Sequence, residues 1–465
     1  MKRSIGLFLP ALLLTAGCAV GPDYERPRTE TPAAWGESAD TSTADLSKWW
    51  TVFGDEQLNS LIGRALRANP DLKIAIGRVS EARGELGVVL GALLPEVNLS
   101  ASYADSRVSP NGQPFPITQI SQQRYKVGFD ASWEIDFFGG AQRGYESASA
   151  DYESWVENRR AVLVTLLGDV ARNYVMLRGF QLQNFVQREN VATARGTAEI
   201  ARVRLAAGVA TSFDVARAEA QLASAEAALP SIETSLKQTI HRLSGLLGLQ
   251  PGTLIAELSV EKPIPSAPPR VVLGLPSDLI LRRPDVRQAE RKLASATAAI
   301  GVAVSEFYPK FSLTGAFGLD SLGTGNLLKW DSRAWSFGPT IRWPIFAAGR
   351  LKAQVAVQDA RQEQAASAYE KSVLTALEDV ENALVAFLRE VDRRRSLEAA
   401  VAADLKAVEL ADDLYRKGLT SFTDVLDAQR ALYAAQLDLG RSVAEVTLDL
   451  VALYKALGGG WELSP

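Results

Sequence analysis

The sequence has one cysteine, Cys18, and one histidine, His241. That excludes a disulfide framework and a Cys/His metal cluster from the mature fold. It lacks charge of one predominant sign: 50 basic residues face 54 acidic ones, a net charge of −4. No basic footprint for nucleic acid is present. Beyond the first residues there is no run of about 20 apolar residues, so no transmembrane helix is expected. A phosphate-binding loop, a nucleophile–base set and metal-ligand spacing are also missing. Neither enzyme activity nor a cofactor nor energy transduction is expected. Proline is absent from about Gln142 to Ala206. Read as one helix, that stretch is roughly 100 Å long at 1.5 Å per residue. No globular domain houses such a helix, so it belongs to a coiled coil or to something that bridges a compartment.

The first residues form an export signal. Lys2 and Arg3 supply positive charge, Ile5 to Leu14 an apolar core, and Leu14-Thr15-Ala16-Gly17 leads to Cys18. Small residues before a Cys look like a bacterial lipobox, with Thr15 where Leu is commoner. Cleavage before Cys18 would leave it acylated, and several acyl chains anchor stably where one does not. Ala19, rather than Asp, favours sorting to the outer membrane by the same likeness. The alternative is an ordinary signal peptide with a chance Cys.

The mature chain divides into an N-terminal arm (18–68), a first repeat (69–249), a Pro-rich linker (250–280), a second repeat (281–457) and a tail (458–465). The arm carries Trp35, Trp49 and Trp50 and reads as an extended strip laid on a surface, closed by a short amphipathic helix. Asn69-Pro70-Asp71 opens a helix: Asn caps it, Pro suits the first turn and Asp complements the dipole. Pro95 ends that helix and the period becomes two. Strands are expected near 96–104 and 126–137, with Val127, Phe129, Trp133, Ile135 and Phe137 alternating with Asp130, Glu134 and Asp136. Apolar residues on one face and polar ones on the other suit a lipid-facing, water-lined barrel strand. A half-buried strand of a soluble sandwich is the competing reading. The long helix follows, then a return helix with Val215, Leu222, Leu229, Leu236 and Leu243 at heptad spacing and a kink expected at Pro230. His241 falls among its core positions and reads as structural. The plan then repeats from Arg283-Pro284-Asp285. Strands are expected near 310–319 and 334–346, with Arg342 on the polar face and Pro339 as a blemish. Trp133, Trp335 and Trp343 read as membrane-interface anchors.

Each repeat has a helix–turn–helix written in the same way. Gly208, Thr211 and Asp214 of the first stand 210 residues before Gly418, Ser421 and Asp424 of the second. Each Gly permits the left-handed turn that closes a helix, and each Thr or Ser caps the next with Asp at the capping-box position. Two strands per repeat make four per chain, too few to close a barrel, for which about eight is the smallest useful number. An open edge is not tolerated in lipid, so a barrel must be shared between chains, two giving eight strands or three giving twelve.

The chain resembles the TolC-like outer-membrane factors, in the lipidated NodT/OprM branch. The residues that carry the likeness are Cys18 with Val20-Gly21-Pro22-Asp23-Tyr24 and Pro27, Asn69-Pro70-Asp71-Leu72, Asp214 with Arg217-Ala218-Glu219-Ala220-Gln221-Leu222, Arg282-Arg283-Pro284-Asp285-Val286, and Leu426-Asp427-Ala428-Gln429-Arg430. They run in family order over nearly the whole mature chain. The resemblance implies an α+β membrane protein: a homotrimer with a shared twelve-stranded barrel, continued by an α-helical coiled-coil barrel in the periplasm. It implies an equatorial belt built from the arm, the linker and the tail. It implies docking to a periplasmic adaptor and an inner-membrane pump, of the resistance-nodulation-division type, that expels drugs, dyes or other toxic small molecules. A resting tube closed at the periplasmic tip is implied too, with Tyr415, Arg416, Asp427 and Arg430 at the family's gate positions. The first repeat has Leu205, Ala206, Arg217 and Ala220 there. Asp427 and Arg430 share a helix face; as a plain surface pair they would contribute only a few tenths of a kcal/mol. The tips around Gly208, Thr211, Gly418 and Ser421 are expected to meet the adaptor. Asp130, Glu134, Asp136 and Arg342 are expected to face the lumen and weakly favour cations. Outer-membrane lipid is the remaining partner. A protein-secretion conduit and a lipid-anchored periplasmic scaffold are the competing functions.

Overall fold

The computed structural model describes residues 19–37, 46–109, 111, 121–266 and 276–462. The export signal and Cys18, residues 267–275 of the linker and residues 463–465 of the tail lie outside the described residues, and so does the expected lipid site. In chain order, a short 3-10 turn at Trp49–Phe53 precedes α1 (Glu56–Ala68), α2 (Pro70–Gly91), β1 (Glu96–Arg107), β2 (Ser121–Ile135), α3 (Gly140–Ala206) and α4 (Ser212–Leu246). Two short helices, α5 (Ile255–Leu258) and α6 (Pro276–Arg282), lead to α7 (Pro284–Ser305), β3 (Lys310–Ser321), α8 (Thr324–Leu327), β4 (Arg333–Arg342), α9 (Arg350–Arg416) and α10 (Phe422–Ala456). The repeat is exact in helix length: α2 and α7 have 22 residues each, α3 and α9 67, α4 and α10 35. Asn69 caps α2 as its sequence requires, accepting from the Leu72 N–H at 2.9 Å. Pro230 lies inside α4, which continues through it as helix. None of the helices is long and apolar enough to cross a membrane, among the described residues.

The chain forms two compact units that cut across the repeats. One gathers the stretch up to Arg28, Arg78–Val156 and Gln288–Glu370. It holds a four-stranded antiparallel sheet in the order β1-β2-β3-β4. The β2–β3 pair joins the two repeats, while β1 and β4 each leave one edge without a partner among the described residues. Strict side-chain alternation sorts the sheet into two faces. One row across all four strands is Leu99, Phe129, Phe317 and Trp335; the next row, on the other face, is Asn98, Asp130, Ala316 and Ser336. The apolar row is exposed in every member, which water does not tolerate over a continuous patch but lipid requires. Pro339 stands in β4 opposite Leu313 of β3. The strands depart from expectation at their ends. β2 stops at Ile135 and β4 at Arg342, so Trp343 and Ile345 follow the strand rather than belong to it. Trp133 and Trp343 hold equivalent places: each indole N–H donates to the backbone just before the partner strand of its repeat, at Leu93 (3.0 Å) and Phe307 (2.9 Å).

The other unit comprises Thr29–Gly77, Glu157–Arg287 and Lys371–Pro465. Its core corrects the reading of the arm as a surface strip. Trp49 and Trp50 are buried, and Trp49 stacks on Tyr454 at 5.3 Å. Leu58, Leu61 and Ile62 of α1 bury completely, each contributing about 1.5–3 kcal/mol. Residues of the arm, of 250–266 and of α10 meet in this unit. Arg178, fully buried on α3, donates to Gln57 of α1 at 2.7 Å and to the Val260 carbonyl at 2.9 Å. Arg283 donates to the Ala456 carbonyl at 2.9 Å. His241 is exposed on α4, contrary to its expected core position; it lies two places from the buried stripe through Leu243.

Candidate functional site

The two helix turns fold as their residues dictate. Gly208 and Gly418 both have φ of 73°. Val209 N–H reaches back to the Arg204 carbonyl and Leu419 N–H to that of Leu414, both at 2.9 Å, closing α3 and α9 in the same manner. Thr211 with Asp214 and Ser421 with Asp424 form complete capping boxes at the starts of α4 and α10. Hydroxyls of Thr420 and Ser421 and the Ser421 N–H hold the Asp424 carboxyl below the usual range. Asp214 and Asp424 therefore build the turns. Val209, Phe213 and Leu419 project from them as exposed apolar side chains.

Behind the turns the two hairpins share one small core. Ala198, Ala201 and Ala218 from the first repeat bury against Phe422 and Leu426 from the second, with Val215, Leu222 and Tyr415 packed alongside. The alanines allow this close approach, which gives the polar groups at its rim their reach. Arg430 Nε donates to Gln221 Oε1 at 2.6 Å, and its Nη1 meets Asp427 at 3.2 Å. Arg217 donates to the Thr423 hydroxyl at 2.6 Å. The guanidinium of Arg204 lies 4.4 Å from the centre of the Tyr415 ring, which also contacts Phe422 at 5.3 Å.

The four expected gate residues thus divide. Asp427 and Arg430 pair with each other, both about half exposed, and Arg430 also bridges to the first hairpin. Tyr415 turns into the shared core and bridges as well. Arg416 stands apart, exposed and paired with Asp412 on its own helix at 2.7 Å. Sequence reasoning missed the acceptors and donors on the first hairpin, Arg204, Arg217 and Gln221. Of these, Arg217 had a signal as the counterpart of Asp427, and Gln221 only as part of the motif that carries the family likeness.

On the sheet, Asp130, Glu134 and Arg342 lie on the polar face as expected. Asp136 does not. It follows the end of β2, and its carboxylate accepts from the Gln142 N–H at 2.8 Å in the first turn of α3. A free backbone donor at a helix start outcompetes the strand alternation that suggested a lumen position. Charges that sequence reasoning left out share the same face. Arg124 holds Asp320 at 2.6 Å with Lys126 3.7 Å away, and Lys310 lies between Glu306 at 2.5 Å and Glu134 at 4.0 Å. Carboxylates Glu96, Asp130, Glu134 and Asp320 are matched by Arg124, Lys126, Lys310 and Arg342. The balance removes the reason for expecting a cation preference.

A sheet with one lipid-type and one charged face, unpaired at both edges among the described residues and joined to helices of 67 residues, defines the class of outer-membrane channels built from several chains. The model of the family described as "Outer membrane efflux protein" matches residues 61–249 and 275–459, and the chain belongs to that family. The two ranges contain the helices and strands from α2 to α4 and from α7 to α10. The chain is 33% identical over 464 residues to nodulation protein T of Rhizobium leguminosarum bv. trifolii, covering 97% of this chain and 96% of that protein. It is 32% identical over 473 residues to the solvent efflux pump outer membrane protein SrpC of Pseudomonas putida, covering 99% of each. The solved outer-membrane channel OprN matches with a TM-score of 0.90 at 33% identity, over 96% of this chain and 100% of that one. The protein is therefore a TolC-like outer-membrane channel of a tripartite efflux system and not an enzyme. Its place is the outer membrane, and channels of this kind work with adaptor and pump partners.

Proposed function

We propose that three copies of this chain form the channel, with a twelve-stranded barrel shared between them and acyl chains on Cys18 as a second hold on the membrane. The observation that carries the reading is the sheet itself. Its charged and apolar faces and its two open edges are useless in one chain and complete in three. The channel conducts small molecules passively, handed on by a periplasmic adaptor and an inner-membrane pump of the resistance-nodulation-division type. The exposed Val209, Phe213 and Leu419 at the turns suit an apolar adaptor contact.

Opening is controlled where the second hairpin is tied to the first. Arg430 to Gln221, Arg217 to Thr423 and Arg204 on Tyr415 hold α10 and the end of α9 against the first hairpin. Charge-assisted bonds of this kind contribute about 1.5–3 kcal/mol each when shielded and less where water reaches them. A few such bonds keep a resting tube closed, yet yield to a docking partner. Asp427 steadies Arg430 through the pair they form. The test uses cells relying on this channel. Asp427→Ala with Arg430→Ala should admit a large antibiotic normally excluded by the outer membrane, lowering its inhibitory concentration at least fourfold at equal channel abundance. An unchanged inhibitory concentration would remove these residues from the gate.

A further inference from the structure

We propose that residues 19–26 form a strap that fixes the membrane anchor at the foot of the seam between the two repeats; this rests on the lipid-anchor reading of Cys18. The seam is the β2–β3 pair. The strap touches the chain on both sides of it. On the first-repeat side, Val20 N–H donates to the Phe138 carbonyl at 3.1 Å, three residues beyond the end of β2. A Cβ on Gly139 would stand 2.5 Å from the Cα of Ala19. On the second-repeat side, Gly21 crosses Gly301 of α7 so closely that a Cβ on Gly21 would collide with the Gly301 backbone. Gly21 also has φ of 92°, where a side chain is strained in any case.

Arg143 locks the crossing. Its side chain is only 6% exposed. It donates to the Val20 carbonyl at 3.2 Å, to Asp23 at 2.6 Å and to Glu146 at 2.8 Å. A Cβ on Gly301 would stand 2.7 Å from Arg143 and 2.8 Å from the Val20 carbonyl, so neither side of the crossing has slack. Further along, the Tyr24 hydroxyl donates to Glu290 at 2.8 Å, and Arg291 lies 5.6 Å from the Tyr24 ring centre. A terminus merely resting on a surface needs none of this. Three glycines without room for a methyl, and a buried guanidinium reading backbone carbonyls, specify one path for the chain.

The surroundings fit an acyl partner. Phe138 stacks on Tyr308 at 4.6 Å and Phe137 meets Phe311 at 4.8 Å, giving an aromatic patch drawn from both repeats. Phe137, Phe307 and Tyr308 are exposed. Aromatic side chains of this kind settle at the level of lipid headgroups. Ala19, crowded against Gly139, starts the strap beside this patch, so an anchor attached ahead of it would be held at both repeats.

The strap is tested on the full-length protein in outer membranes. Val20→Cys with Phe138→Cys should be joined by a short bismaleimide in most trimers. Gly21→Val should lower the trimer yield at least tenfold, and the milder Asp23→Asn severalfold, while tagged palmitate still labels Cys18. Absence of the crosslink, or wild-type trimer yields in both variants, overturns the strap. Crosslinking without palmitate incorporation overturns the lipid-anchor reading alone and reduces the strap to a staple between repeats.

Discussion

At the scale of single residues, the chain separates groups that build from groups that hold. Gly208, Thr211 and Asp214 and their copies Gly418, Ser421 and Asp424 act only on neighbours along the chain, so their spacing gave them away. Arg204, Arg217 and Gln221 act on a hairpin some 200 residues distant, and no local pattern announces such a partner. The same limit hid Asp449 of α10. Burial first, then the nearby carboxylates Glu445 and Glu390, push it up to about 7 from 3.8. The folded state thus binds a proton more readily than the unfolded chain. Stability is fully present below pH 3.8, falls as pH rises to about 7, and is level above that. Asp449→Asn should therefore raise the unfolding midpoint at pH 8 and leave it nearly unchanged at pH 4. With solvent screening at this half-buried group, the gain is about 1–2 kcal/mol. Thermal unfolding of the detergent-solubilised protein at the two pH values checks it; an equal gain at both would show that charge is not the cause.

At the scale of elements, periodicity revealed nearly everything in the interior and little at the ends. Alternation located all four strands, because a half-exposed strand in lipid must alternate. It carried β2 too far, to Asp136 and Phe137, since parity continues while the backbone has already turned to cap α3. Absence of proline located α3 within two residues of its start, but the heptad stripe put the exposed His241 inside the helix core. Trp49 and Trp50 looked like surface residues because the Tyr454 that covers Trp49 comes from the far end of the chain. The division of the sheet into faces has a direct consequence. Phe317→Arg, in the middle of the apolar row, should cost about 2–4 kcal/mol and strongly reduce folded channel in the outer membrane. Thr314→Arg, on the polar face three rows away, should be tolerated. Heat-resistant trimer on gels measures both; equal loss would contradict the assignment of faces.

At the scale of the whole molecule, a duplicated chain yields two unlike halves. Both repeats supply a helix pair and two strands, and matched lengths keep the copies in step. Their tips have diverged in side chains: the second carries Tyr415, Asp427 and Arg430, and the first supplies Arg204 for Tyr415 and Gln221 for Arg430. Duplication thus gives two hairpins of one design with different side chains at their tips. The family, the repeats and the unpaired strand edges were legible before any coordinates, since each is written in spacing or parity. The strap at Arg143 and the tie at Gln221 were not, since each depends on where distant helices cross. The central claim, a channel closed at its tip by ties between hairpins, is tested most directly by single-channel recording of the purified protein in planar bilayers. The wild type should show small, infrequent openings, and Asp427→Ala with Arg430→Ala should raise conductance severalfold. No conductance in either protein would contradict the account.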